Sequence, residues 1–199
     1  MQRSEVRERA DGRRVRGQNN RQRIVDALLK LVADGNIAPN AEEVAGQAGV
    51  ALRTVFRHFA DMESLYRELS ERMRAEIAPM ADRRLVASES RVRVRELIDR
   101  RVLVFERLLP FKLAGDAHRH ASAFLNAEHR SLVTLLRASL VAALPVAVRC
   151  ERSLITALEL ILSIEAWRRL RDDQKLSVRG ARATIFFAVD RLLAQPNRS

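Results

Sequence analysis

Cysteine is nearly missing from this chain: Cys150 is its one thiol. A single cysteine excludes an intramolecular disulfide and any cysteine-built zinc site, and it fits a reducing compartment. Helix breakers are scarce as well, with 7 glycines and 5 prolines in 199 residues. Alternating β-branched or aromatic runs are equally rare, while Ala, Leu, Arg and Glu dominate, so the expected fold class is all-α. No apolar run approaches the ~20 residues of a membrane span. The charged N-terminal stretch has no apolar core of a secretory leader. A cytoplasmic protein without membrane contact is therefore expected. No Ser-His-Asp order, glycine-rich phosphate loop or paired-carboxylate pattern appears, so neither an enzyme nor a bound cofactor is expected.

What the chain does have is positive charge. Lys+Arg number 36 against Asp+Glu 25, a net +11, and nearly all the cations are arginine. That balance attracts polyanions: DNA, RNA or an acidic membrane surface. A hydrophobic content of 47% over 199 residues suffices for one large or two small domains with a real core.

The stretch from Asn40 to Leu65, NAEEVAGQAGVALRTVFRHFADMESL, reads as two short helices and the start of a third. Asn40 is a good N-cap, and Glu43 is spaced to reach back to its backbone N–H in a capping box. Val44 and Ala48 share one helix face, Gly49 permits a sharp turn, and Val50 is a natural buried plug. The second helix, from about Ala51 to Phe59, turns Val55 and Phe59 inward and Arg53, Thr54, Arg57 and His58 outward. Asp61 caps the next helix. Such a pair, with donors and cations on the outer face of its second helix, is a helix-turn-helix suited to the DNA major groove.

At these residues the chain resembles the TetR family of transcriptional regulators. The family pattern R-x-x-I-x-x-A-x-x-L is matched at Arg21, Ile24 and Ala27 in the stretch Arg21 to Leu31, with Leu29 and Leu31 on either side of its last position. The following E-x-x-A-x-x-A-G-V-S-x-x-T-x-Y-x-H-F is matched in register at Ala45, Ala48-Gly49-Val50, Thr54 and His58-Phe59, within the stretch from Glu43 to Phe59. The match covers Arg21 to about Leu69. Three positions depart from it: Ala51 replaces the capping serine, Phe56 the tyrosine, and Met62 a lysine. Each departure weakens the set of groups that would hold a phosphate backbone. The resemblance implies an all-α protein with an N-terminal three-helix DNA-binding domain, a connector helix and a C-terminal bundle. It also implies homodimers on a palindromic operator, usually as a repressor, released when a small-molecule effector binds within the bundle.

Taken in order, residues 1–19 form an arginine-rich segment that reads as a flexible arm, in which Arg13, Arg14 and Arg16 are candidates for a minor groove or for phosphates. The first helix runs from Asn19 or Asn20 to about Asp34, with Ile24, Ala27, Leu28 and Leu31 inward. Helix four starts at Asp61 with Leu65, Leu69, Met73 and Ile77 in one stripe, and Ala78-Pro79 is read as the break between a DNA-binding domain (20–78) and a C-terminal domain (79–199). Later helices are expected over about Ser88–Leu109, stopped by Pro110, and Asp116–Ala143, with a break near His129–Arg130. The last two are placed at Val146–Asp172 and Ser177–Ala194. These last two are apolar around most of their circumference, so both sides need burial. A second copy forming a two-fold, four-helix interface is the favoured partner, with a tightly packed monomeric core as the alternative.

For DNA contact the candidates are thus Arg53, Thr54, Phe56, Arg57, His58 and Asn40, with Arg13, Arg14 and Arg16. Arg53 is suited to guanine, Thr54 to a base or phosphate, and Phe56 to a thymine methyl or a sugar. For an effector, Phe105, Phe124, His129 and Trp167 are candidate wall residues, with plain core packing as the competing reading of each. His118, His120 and His129 lie too far apart on a helix to hold one metal ion. Two rival functions are a helical adaptor acting through protein contacts with a degenerate helix-turn-helix, and an enzyme using the bundle as a pocket.

Overall fold

Helix-forming composition and the scarcity of breakers are reflected throughout the backbone. The computed structural model describes residues 2–194, with side chains described for residues 17–194. Among the described residues the chain is all-α: α1 (Gln2–Ala33), α2 (Ala41–Ala48), α3 (Leu52–His58), α4 (Met62–Ala81), α5 (Ser90–His118), α6 (Ala123–Ala143), α7 (Arg152–Ile161), α8 (Ile164–Arg168) and α9 (Val178–Ala194). A 3₁₀ turn at Val146–Val148 precedes α7, and a π turn at Arg169–Asp173 follows α8.

Several expected boundaries move. The first helix begins at Gln2, not at Asn19 or Asn20, so the backbone is helical where an arm was expected. Pro79 lies inside α4 and Pro110 inside α5. A proline in mid-helix forfeits one hydrogen bond and crowds the preceding turn. In α5 that loss is opposed by burial on both sides of Pro110, where Phe105, Phe111 and Ala114 are all buried. The helix α6 runs unbroken through His129 and Arg130 but begins only at Ala123. The long apolar stretch after Val146 is not one helix. It stops at Leu162, and the Ser163 hydroxyl accepts from Ala166 N–H at 3.0 Å, capping α8.

The chain divides into two compact units, one made of residues through Arg74 with Pro110–Asn126, the other of Ala75–Leu109 with Ala127–Ser199. In the first, Ile24, Val25, Leu28 and Val32 of α1 are buried with Val44 and Ala48 of α2, Val55 of α3, Phe59, and Leu65 and Leu69 of α4. Local sequence spacing explains each stripe: apolar residues recur every three or four positions.

The second unit buries Val94, Leu97, Ile98, Val102 and Phe105 of α5 with Leu140, Leu144, Ile155, Leu158, Leu162, Ile164 and Trp167. The α9 stripe Ala181, Ile185 and Val189 is buried too. Along its edge, α9 is laced to α5 by charge: Arg91 and Arg95 pair with Asp190, and Asp99 takes a bidentate pair from Arg182. Phe186 lies between them, under the guanidiniums of Arg95 and Arg182. Arg101 is the exception to an apolar core. Its guanidinium is buried and donates to the Leu162 carbonyl at 2.8 Å and the Ser139 hydroxyl at 3.1 Å. Burial, and then the neighbouring Arg100 charge, push its pKa down to about 10.

Candidate nucleic-acid interface

Asn40 opens α2 with backbone in the extended region, and its side chain accepts from Glu43 N–H at 2.9 Å while the Glu43 carboxylate accepts from Asn40 N–H at 2.8 Å. This reciprocal capping box satisfies two of the donors a helix start leaves open. At the other end Gly49 adopts φ +64, ψ +40, the left-handed conformation in which a side chain is strained. The Val50 N–H returns to the Ala45 carbonyl at 3.0 Å, closing the turn. Two helices therefore meet at a fixed angle set by one residue.

Helix α3 follows with no side-chain cap, because Ala51 has no hydroxyl to offer. Its inner side holds Val55, and Phe59 just past its end is buried as well. Its outer side carries Arg53, Phe56 and Arg57, all exposed, with Thr54 half-buried beside them. Neither Arg53 nor Arg57 has a hydrogen bond or ion pair among the described residues. Phe56 is 50% exposed, an unusual setting for a phenyl ring without a partner. Two unengaged guanidiniums, a hydroxyl and an exposed ring on one short helix are chemically able to bond base edges and phosphates.

His58 behaves differently from the cations beside it. Burial first, then the charges of Arg57 and Arg21, hold its pKa below the ordinary histidine range. Its Nε2 is buried without a hydrogen-bond partner. The shift favours the neutral imidazole, which offers one donor and one acceptor. Met62 opens α4 under a cap from Asp61, whose carboxylate accepts from Ser64 N–H at 2.7 Å.

Two arginines of α1 hold this arrangement. Arg23 of α1 donates to the Ala48 carbonyl at 2.7 Å, at the C-terminal end of α2. Arg21 donates to the His58 carbonyl at 2.7 Å, at the end of α3, lies over the Phe59 ring at 4.3 Å, and pairs with Glu68 of α4. Each guanidinium fills carbonyl acceptors that helix ends leave open and complements the negative end of the helix dipole. Their targets lie 25 and 37 positions along the chain, beyond any helical period. The sequence signal for them is slight: a pair of arginines two positions apart in the polar run just before Ile24.

Comparison with solved structures places the architecture. The candidate transcriptional regulator SCO7518 from Streptomyces coelicolor A3(2) superposes with a TM-score of 0.59 at 21% identity, over 88% of this chain and 99% of that one. The two share a fold. A TetR transcriptional regulator from Rhodococcus sp. RHA1 aligns with a TM-score of 0.49 at 19% identity, over 90% of this chain and 98% of that one. No protein-family model and no curated protein matches the sequence.

The remaining candidates divide among different surroundings. Arg13, Arg14 and Arg16 lie outside the residues whose side chains are described. Phe124 belongs to the first unit, where the Arg67 guanidinium lies 4.0 Å from its ring centre. Phe105, His129 and Trp167 belong to the second. Trp167 is wholly buried and its indole N–H donates to Glu106 at 2.9 Å; Phe105 is buried as well. Neither of two surface clefts in that unit is lined by any of the four. Among the described residues no group of three or more His, Cys, Asp or Glu is placed to hold a metal ion, and no helix is long and apolar enough to cross a membrane.

Proposed function

We propose that this protein is a TetR-type transcriptional regulator that binds DNA as a homodimer and acts as a repressor. The observation that carries the reading is the outer face of α3, where Arg53, Thr54, Phe56 and Arg57 stand unengaged on a helix whose angle is set by Gly49 and clamped by Arg21 and Arg23. A helix so presented enters a major groove, with Arg53 and Thr54 on base edges and Arg57 and Asn40 toward phosphates. Arg13, Arg14 and Arg16 add charge for the minor groove or the backbone.

The partner for a two-fold operator is a second copy. The α7–α9 surface supports this: Leu160 is 72% and Phe187 64% exposed, flanked on α9 by exposed Ala183 and Thr184. Apolar side chains of that size left in water favour association through the same patch on both copies. An effector bound in the second unit, near Phe105, His129 and Trp167, would release DNA by favouring a state in which the two α3 helices no longer match the half-sites.

Fluorescence anisotropy with duplexes from the protein's own genomic neighbourhood tests the reading. Binding should weaken steeply with salt, by a log–log slope of about −0.9 per phosphate contacted. Arg53→Ala and Thr54→Ala should lower the ratio of operator to scrambled affinity, by about 1–3 kcal/mol for a bidentate base contact. Deleting residues 2–16 should weaken both duplexes alike. No binding to any such fragment would refute the proposal, and a light-scattering mass of 22.6 kDa instead of twice that would refute the dimer.

A further inference from the structure

The face of α5 opposite its buried stripe presents Glu96, Asp99, Arg100 and Leu103 at successive helical turns. The segment joining α4 to α5 is strapped across that face. Glu96 accepts from the backbone N–H of Val86 at 2.9 Å and of Ala87 at 3.2 Å, and Arg100 donates to the Arg83 carbonyl at 2.8 Å. Between strap and helix lies a cleft of about 300 Å³, whose walls include Arg83, Arg84, Leu85, Val86 and Leu103.

The charge in this cleft is one-sided. Both carboxylates in its wall are already engaged: Glu96 by two amide N–H groups, and Asp99 by the Arg182 guanidinium at 2.5 and 2.9 Å. The side chains of Arg83 and Arg84, by contrast, are exposed and have no hydrogen-bond or ion-pair partner among the described residues. Arg100 is partly desolvated, which lowers its pKa, while Asp82 acts in the opposite direction. The floor is apolar and uncovered, with Leu103 49% and Val86 80% exposed, whereas Leu97 and Ile98 on the inner face are fully buried.

We infer that this cleft binds a small amphipathic anion, a carboxylate or phosphate head on a short apolar tail. Arg83, Arg84 and Arg100 hold the head through charge-assisted hydrogen bonds, and Leu85, Val86 and Leu103 cover the tail. The volume stands at the small end of the range for ligand pockets, so a medium-length chain or a single ring fits and a long lipid does not. The inference stands on the cleft alone and does not require the DNA-binding reading.

Calorimetric titration of the full-length protein with octanoate, octyl phosphate and octanol tests it. Both anions should bind, with octanol at least ~10-fold weaker for want of the charged contact. Tighter binding of one anion supports the inference and identifies the head group. The double variant Arg83→Glu/Arg84→Glu should lose the anions and keep octanol, and Leu103→Glu should lose all three ligands, with melting curves confirming that both variants fold. Octanol binding as tightly as the anions, a double variant that titrates like the parent, or no heat from any ligand at millimolar concentration would each overturn it.

Discussion

The Arg21 guanidinium donates to the His58 backbone carbonyl at 2.7 Å, so a side chain of α1 closes the C-terminal end of α3. The same group lies over the Phe59 ring and pairs with Glu68, tying three helices together at one point. Arg21→Ala should cost about 1 kcal/mol, less than a buried charged hydrogen bond because the side chain is 44% exposed. Urea denaturation measures it. DNA discrimination should fall further than stability does, since the angle of α3 loosens; an unchanged operator-to-scrambled ratio would show that the clamp plays no part in reading.

Two glycines beside the Ala48 carbonyl that Arg23 braces should respond oppositely to alanine. Gly49 sits at φ +64, and a Cβ there would meet Arg23 Nη2 at 3.1 Å. Gly49→Ala should therefore destabilise by about 1–2 kcal/mol. Gly46 lies inside α2 with nothing within 4 Å of an added Cβ, and alanine there should stabilise by about 0.5–1 kcal/mol. Equal effects at the two positions would mean that the left-handed turn is not what Gly49 supplies.

Ala51 already has the backbone of a cap residue, φ −69 and ψ 146, but no side-chain acceptor. Ala51→Ser should add about 1 kcal/mol of stability by capping the first turn of α3. A melting temperature that fails to rise would show that water already satisfies those N–H groups.

Tyr66 is the one tyrosine in the chain, so its ionisation can be followed alone by near-ultraviolet absorbance. Its hydroxyl is buried without a hydrogen-bond partner, its ring centre lies 5.2 Å from that of His118, and burial pushes its pKa up to about 12. The folded chain thus keeps a proton that the unfolded chain releases near pH ~10. The stability linked to it is fully present below about pH 10 and is lost as pH rises toward about 12, to a total on the order of 2–3 kcal/mol. Tyr66→Phe should abolish that alkaline step and be close to neutral at pH ~7, because no hydrogen bond is lost. A tyrosinate midpoint near pH ~10 in the folded protein would contradict this account.

Local features were legible from residue order. The Asn40–Glu43 capping box, the Gly49 turn, the Val55–Phe59 inner side of α3 and the Leu65–Ile77 stripe of α4 all follow from interactions within a few positions, and all are present. Helices run through proline at two places where residue order predicts a break, Pro79 and Pro110. A proline's cost is local and fixed, but whether a helix continues through it depends on burial at both flanks, which for Pro110 comes from Phe105 and Phe111. The break at Leu162–Ser163 was hidden inside an apolar run, where the Ser163 cap is a weak signal beside so many helix-favouring neighbours.

Residue order by itself determined that the chain is helical, that a short helix carries Arg53, Thr54, Phe56 and Arg57 outward, and that Gly49 sets the bend before it, because those outcomes depend on propensity, period and one backbone conformation. Only the tertiary structure decided that Arg21 and Arg23 brace the two helix ends, that Arg101 is buried against the Leu162 carbonyl, and that burial and two guanidiniums lower the pKa of His58. Those outcomes depend on which carbonyls and charges are brought together from distant parts of the chain, and on how far each group is removed from water.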